Sequence, residues 1–500
     1  MNFSDKDLKQ IHEHGLTVDA VNQQLDDFKN GFPYIDIVKP VTHDDGVFPA
    51  DNMVYDYMVN SYSDYAKTHK IVKFVPASGA ATRMFKDLMA GNLNQTVLQV
   101  LKNIQQFAFW DDLQNTLQKN ATNKDKINAI VSRYGNIPKG LIPFHQYGTY
   151  GNYAATPIEE HLKEGFQYAK SGNTVNIHFT ISPEHKKLFD DLLHHIVSIY
   201  ELKYCVKYNI TMSEQKKSTD TIAVNMDNSP FRTPDGSLLF RPAGHGALIE
   251  NLNTLDADLI FIKNIDNVQP DDLRKDTIRY KKVLAGILIS TQQQIFNLIR
   301  QIDSDKSNVE ILTKILHDFV NNKLGTKLQN KLSLSEYRKI LNRPIRVCGI
   351  VKNTGAPGGG PFWVRDANGN VSLQIVESSQ IAPTSKDIMN KSEYFNPVDL
   401  VCSTRDFSGK KFDLTQYVDK NTGFISQKSK DGKDLRAMEK PGLWNGAMAN
   451  WNTIFVAVPA STFTPVKIVT DLLSPMHRTT ARWFAQTHMT FLWLPSSILT

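Results

Sequence analysis

Strands and helices alternate through the middle of this 500-residue chain, and that alternation limits the fold sharply. Residues 174–181 form an apolar, β-branched run. Ser182-Pro183-Glu184 follows, reading as an N-cap, a helix-compatible proline and an acidic first turn. A helical pattern runs to about residue 200, a second strand pattern lies near 203–211, and a third, short and buried, spans 259–265. Strand–helix–strand succession implies parallel pairing with helices on both faces of the sheet. The expected class is α/β.

The flanking regions fill in this frame. Residues 1–60 read as helical: Ser4 can cap a helix that stops at Gly15, and Thr17 a second that stops at Asn30-Gly31. A clear strand at 71–75 runs into a turn of small residues, and a long helical stretch is expected over about 80–134. Thr156 with Glu159 makes a capping box, so Glu159-Glu160-His161 reads as a helix start rather than a metal site. His185, His194 and His195 fall on an amphipathic helix pattern and read as surface or core residues. Residues 271–340 are helical in pattern, with few Gly or Pro. Strands resume at 345–351, and 362–364 and 371–376 flank Asn368-Gly369, a strong hairpin signal. The expected organisation is a helical segment at 1–64, one interrupted α/β domain at 65–270 and 343–470, a helical insertion at 271–342, and a tail at 471–500.

Composition narrows the function. Lys and Arg number 57 against 51 Asp and Glu, a formal charge of +6. Spread over this length, and without a dense basic run, that is not the footprint of a nucleic-acid binder, though it favours anionic substrates. The three cysteines are far apart and form no CxxC pattern, which fits a reducing cytoplasm. Neither a signal peptide nor an 18-residue apolar span is read, so no membrane partner is expected. The apolar run Phe491-Leu492-Trp493-Leu494 near the end has no assigned role.

Chemistry concentrates in Pro76-Ala77-Ser78-Gly79-Ala80-Ala81-Thr82-Arg83-Met84, directly after a strand. Small residues let backbone approach a bulky ligand, N–H groups at a helix start attract anions, and the Arg83 fork suits phosphate oxygens. Tight strand–helix packing would use the same residues. The segment 77–84 resembles the Gly-Gly-x-Gly-Thr-Arg type loop of the nucleotide-sugar pyrophosphorylases, in the version of UDP-glucose and UDP-N-acetylglucosamine pyrophosphorylases. Ser78 and Ala81 stand where glycines are usual, and Ala90 stands where that family has a lysine; Lys86 lies earlier.

Further resemblances follow in the same order. Pro242-Ala243-Gly244-His245-Gly246 is similar to the segment lying against base and ribose. Asp266, past the buried strand at 259–265, falls where the family carries an Asp-Asn pair. There a carboxylate at a strand's carboxyl end can hold Mg²⁺. Glu377 and Asn396 match sugar-site positions, and Phe463-Thr464-Pro465-Val466-Lys467 with Asp471-Leu472-Leu473 matches a segment whose lysine reaches the phosphates. The segments Pro357-Gly358-Gly359-Gly360-Pro361-Phe362-Trp363 and Gly442-Leu443-Trp444-Asn445-Gly446 either line a substrate pocket or form turns and core.

The resemblance implies a Rossmann-like nucleotide-diphospho-sugar transferase fold with a mixed, mainly parallel sheet. It implies transfer of a nucleotide from a nucleoside triphosphate, UTP being favoured, to a sugar 1-phosphate with Mg²⁺. Arg83, Lys467 and Asp266 would be catalytic, with Asp266 on the metal. Ala77, Ser78, Gly79, Ala80, Ala81, Thr82, Gly244, His245 and Gly246 would hold the nucleotide, and Glu377 and Asn396 the sugar. A non-catalytic nucleotide-sugar sensor and a glycosyltransferase are the alternatives.

Overall fold

The computed structural model describes residues 3–49, 51–148, 153–304, 308–355 and 359–478. The apolar run at 491–494 lies outside them, as do Pro357 and Gly358. The fold is mixed α/β, with parallel and antiparallel strand pairs, flanking helices and helices at the N-terminus. None of the described helices is long and apolar enough to cross a membrane. The chain divides into two compact units: the first is Met1–Tyr62, Ser213–Phe261 and Val283–Val458, and the second is Ser63–Met212, Ile262–Lys282 and Pro459–Thr500. The border after Lys282 falls inside the helix Lys275–Ser304.

In the first unit, the N-terminal caps form as read. Ser4 accepts from Asp7 N at 3.3 Å and the Asp7 carboxylate accepts from Ser4 N at 3.1 Å, opening the helix Asp5–Glu13. Thr17 accepts from Ala20 N at 3.1 Å at the start of Val18–Asn30. Their apolar faces, Ile11, Val21, Leu25 and Phe28, bury against Ile222, Val224, Leu238 and Met438. The strand Ile345–Lys352 is paired on one side with Tyr394–Ser403, antiparallel, and on the other with Asn452–Ala457, parallel. The hairpin around Asn368-Gly369 joins Gly360–Arg365 to Val371–Val376. Gly369 takes the φ of +82° that its turn requires.

In the second unit, Ile71–Pro76 pairs in parallel with Thr174–Ile181, as the alternation requires. Ser182 does not cap the helix that follows; a 3-10 turn, Pro183–His185, precedes Lys186–Tyr204, and the Ser182 hydroxyl donates instead to Ser78 O at 3.1 Å. The stretch 80–134 is not one long helix but four: Lys86–Met89, Gln95–Lys102, Trp110–Gln114 and Asn123–Tyr134. Gly91 at φ +72° ends the first, and the side chains of Asn94 and Thr122 start new helices by accepting from Val97 N and Asp125 N.

The capping box of Thr156 opens Pro157–Tyr168 as expected, but this helix is buried on nearly every side. Glu164 takes the ammonium groups of Lys73 and Lys263, both at 2.7 Å. Glu160 takes His145 Nδ1 at 3.0 Å and the guanidinium of Arg274. Burial pushes the Glu164 carboxyl upward, and Lys263 and Lys73 outweigh it, holding it well below the usual carboxylate range. Such a network fixes geometry: removing one partner strands a buried charge, at a cost of about 3–5 kcal/mol.

Candidate functional site

The residues read from sequence fall into two groups, one in each unit. In the second unit, the fully buried strand Ile71–Val75 delivers its chain into the loop 77–83. Ala77 N donates to Thr180 O and Ala81 N to Ile137 O, each at 2.9 Å, and the loop's Gly79 O accepts from Lys139 N at 3.4 Å. The N–H groups of Ser78, Gly79 and Ala80 meet no acceptor among the described residues. A Cβ built on Gly79 would meet nothing within 4 Å, so the space above it is open. The expected long helix directly after the loop is absent. Residues 81–85 form turns and the helix Lys86–Met89 has only four residues. So short a helix has little macrodipole, and attraction for an anion rests on the loop amides and nearby cations. Arg83 is exposed and forms no ion pair among the described residues.

Two distant segments join this loop. Asp266 follows the strand Leu259–Lys263, and its carbonyl accepts from Val466 N at 3.1 Å. Asn267 Oδ1 accepts from Thr464 N at 3.0 Å, and Val469 N donates to Met84 O at 3.2 Å. Val268, Val466 and Val469 pack with Ala81, Met84 and Phe85 beneath them. Asp471, part of the Asp-Leu-Leu motif, has a structural use: its Oδ2 accepts from Lys467 N at 2.7 Å and Ile468 N at 2.8 Å, holding the Lys467 turn. The side chain of Lys467 is exposed.

One group at this cluster escaped sequence reading. Lys139 donates to Asp266 Oδ2 at 2.7 Å and to Val466 O at 2.6 Å. It touches all three segments, since its N–H also donates to Gly79 O. No local pattern announces it; its carboxylate partner is 127 positions away.

The second group lies in the first unit. His245, Gly246, Glu377, Glu439 and Asn445 share the lining of a cavity of about 170 Å³. The His245 ring stacks on Trp444 with centroids 4.2 Å apart, and its Nδ1 accepts from Leu443 N at 2.9 Å. Burial pulls the imidazole down to about 4, so it is neutral at pH 7. Burial also raises the Glu377 carboxyl, which a hydrogen bond from Asn445 partly offsets. Arg346, fully buried, donates to Trp444 O and, at 2.9 Å, to Thr453 Oγ1, fixing the 442–446 loop. Trp444 therefore packs on the histidine. Trp363 is buried, with Lys39 and Lys327 over its ring. Asn396 is not among the residues lining this cavity; its Oδ1 accepts from Val398 N at 3.2 Å and its N–H binds Gly359 O at 3.1 Å.

Among the described residues no group of three or more His, Cys, Asp or Glu side chains is placed to hold a metal ion. Asp266 offers one carboxylate. One carboxylate does not make a metal cage; Mg²⁺ that arrives on phosphates commonly uses one or two protein carboxylates and several waters.

No curated protein matches the chain. Among solved structures, similarity extends over nearly its whole length at low identity. The UDP-glucose pyrophosphorylase of Leishmania major is 14% identical, with 96% of this chain and 80% of that one covered and a TM-score of 0.46. A mutant of the same enzyme in complex with UDP-glucose is 13% identical, with 96% and 80% covered and a TM-score of 0.44. The uridine diphosphate N-acetylglucosamine pyrophosphorylase of Trypanosoma brucei, in complex with an inhibitor, is 12% identical, with 94% and 79% covered and a TM-score of 0.49. The family model described as a domain of unknown function, DUF4301, matches residues 4–478, and the chain belongs to that family.

Proposed function

We propose that this protein is a sugar-1-phosphate nucleotidyltransferase, with a nucleoside triphosphate, UTP in the first instance, as the nucleotide donor. What carries the reading is the clustering in the second unit of the open loop 77–83, Asp266 and the Lys467 turn. An oxygen of the sugar 1-phosphate attacks the α-phosphorus. The bond from that phosphorus to the bridging oxygen breaks, and its electron pair leaves with pyrophosphate. The nucleophile is already anionic, so no protein base is needed. The protein's task is to hold two polyanions together and offset their charge.

In this scheme the amides of Ser78, Gly79 and Ala80 hold phosphate oxygens, while Arg83 and Lys467 offset charge developing on the departing pyrophosphate. Asp266 is the carboxylate for Mg²⁺, which when bound would neutralise part of the phosphate charge. His245 is assigned to the nucleoside, with Gly244 and Gly246 letting the chain fold closely around its ring, and Glu377 to the sugar. The neutral His245 ring suits a flat, uncharged base better than an anion.

The test is an array of nucleoside triphosphates against sugar 1-phosphates with Mg²⁺, scored for pyrophosphate. One or a few pairs are expected to release it. Tight NDP-sugar binding by calorimetry, with no pair releasing pyrophosphate, would convert the reading to the sensor alternative. Release of a nucleoside diphosphate from an NDP-sugar would convert it to a glycosyltransferase.

A further inference from the structure

Resting on the phosphate reading of the same cluster, we infer that Lys139 is a phosphate ligand held in reserve by Asp266. Three observations lead there. First, the segment 137–139 is zipped along the loop: Ala81 N donates to Ile137 O, Ala80 and Pro138 form an antiparallel bridge, and Lys139 N donates to Gly79 O. The Lys139 backbone is therefore fixed against the loop that carries the amides of Ser78–Ala80. Second, the ammonium already sits on the two other segments, at 2.7 Å from the Asp266 carboxylate and 2.6 Å from Val466 O. Third, the pair is not deeply buried: the side chains keep 12% and 19% of their exposure. Solvent reaches both partners, so exchange of one for another does not strand a charge in a dry interior. Gly140 permits the arrangement, because a Cβ there would crowd Ile265 Cγ1 at 3.1 Å.

Lys139 supplies a compact, flexible cation from outside the loop. Free of ligand, its charge is satisfied by Asp266. When phosphates occupy the loop, the ammonium turns to them and the Asp266 carboxylate is released for the cation that accompanies a triphosphate. No proton is transferred in this exchange; one ion pair is traded for two others.

The exchange predicts opposite effects for the two partners. Inorganic pyrophosphate is titrated by calorimetry into the full chain without metal, for wild type, K139M, K139R and D266N. Wild type is expected to bind. K139M should weaken binding roughly 10–100-fold, the loss of one hydrogen bond to a charged group, and K139R should recover most of it. D266N should bind as tightly as wild type or tighter, because its lysine is already released. Thermal unfolding followed by circular dichroism checks that the variants fold, and K139R with D266N decides the matter should K139M not. Wild-type affinity in K139M, or equal losses in K139M and D266N, would overturn the role of Lys139 while leaving the loop as a phosphate site. No binding by wild type would overturn both.

Discussion

The two groups of small residues look alike in sequence and differ in what fills the space beside them. At Gly79 in the second unit, a Cβ would meet nothing within 4 Å. At Gly246 in the first unit, a Cβ would lie 2.1 Å from Pro441 O, and at Gly442 it would lie 2.6 Å from His245 Cε1. Gly244 has φ of +74°, and its Cβ would come within 2.6 Å of a Glu439 oxygen. The glycines around His245 let the protein close on itself, whereas Gly79 leaves a surface open. Glycine-rich motifs are read as ligand cradles because backbone can approach a ligand; the same freedom equally serves packing, and what lies beside each glycine in the fold separates the two uses.

The sharpest way to break this contrast is G246A. Its Cβ would have to displace backbone, so the variant should lose about 3 kcal/mol of stability by denaturant titration. A near-neutral result would remove the packing role.

The second test uses acid. His245 titrates near its ordinary 6.5 when unfolded and at about 4 when folded. Its folded value is depressed, so its contribution is intact above pH 6.5 and is lost as pH falls toward 4. One proton corresponds to a slope of about 1.4 kcal/mol per pH unit. H245N, whose side-chain oxygen can still accept from Leu443 N, should remove that slope between about 6.5 and 4. His178 and His477, also depressed by burial, keep theirs. An unchanged slope would mean that the His245 ring is not held neutral by its setting.

The smallest stability effect is expected at the open loop. G79A should stay within about 0.5 kcal/mol of wild type, yet weaken pyrophosphate binding roughly 2–10-fold, since the added methyl occupies the approach to the amides. Equal binding by G79A would leave the loop without a ligand role.

Local signals were legible and distant ones were not. Ser4, Thr17 and Thr156 cap the helices their spacing announces, and Gly369 turns its hairpin, because each depends on neighbours within a few residues. The breaks within 80–134 also carry local signals, Gly91, Asn94 and Thr122, which the overall helical pattern obscured. Glu160 reads as part of an ordinary polar helix start, but it is buried, as is Glu164 one turn on, because Lys73, Lys263 and Arg274 arrive from elsewhere in the chain. Lys73 lies inside an apolar strand run and gave no sign of its partner. At the candidate site, the loop, Asp266 and the Lys467 turn came from motif order. Lys139, which touches all three, carries no motif at all.

The central claim is that Arg83 and Lys467 act on the same phosphates. It is tested most directly by pyrophosphate release, with the active substrate pair, from wild type, R83A and K467A. Each alanine variant should lose roughly 10²–10³ in rate, with its folding midpoint unchanged. Near-wild-type release from both would contradict the account.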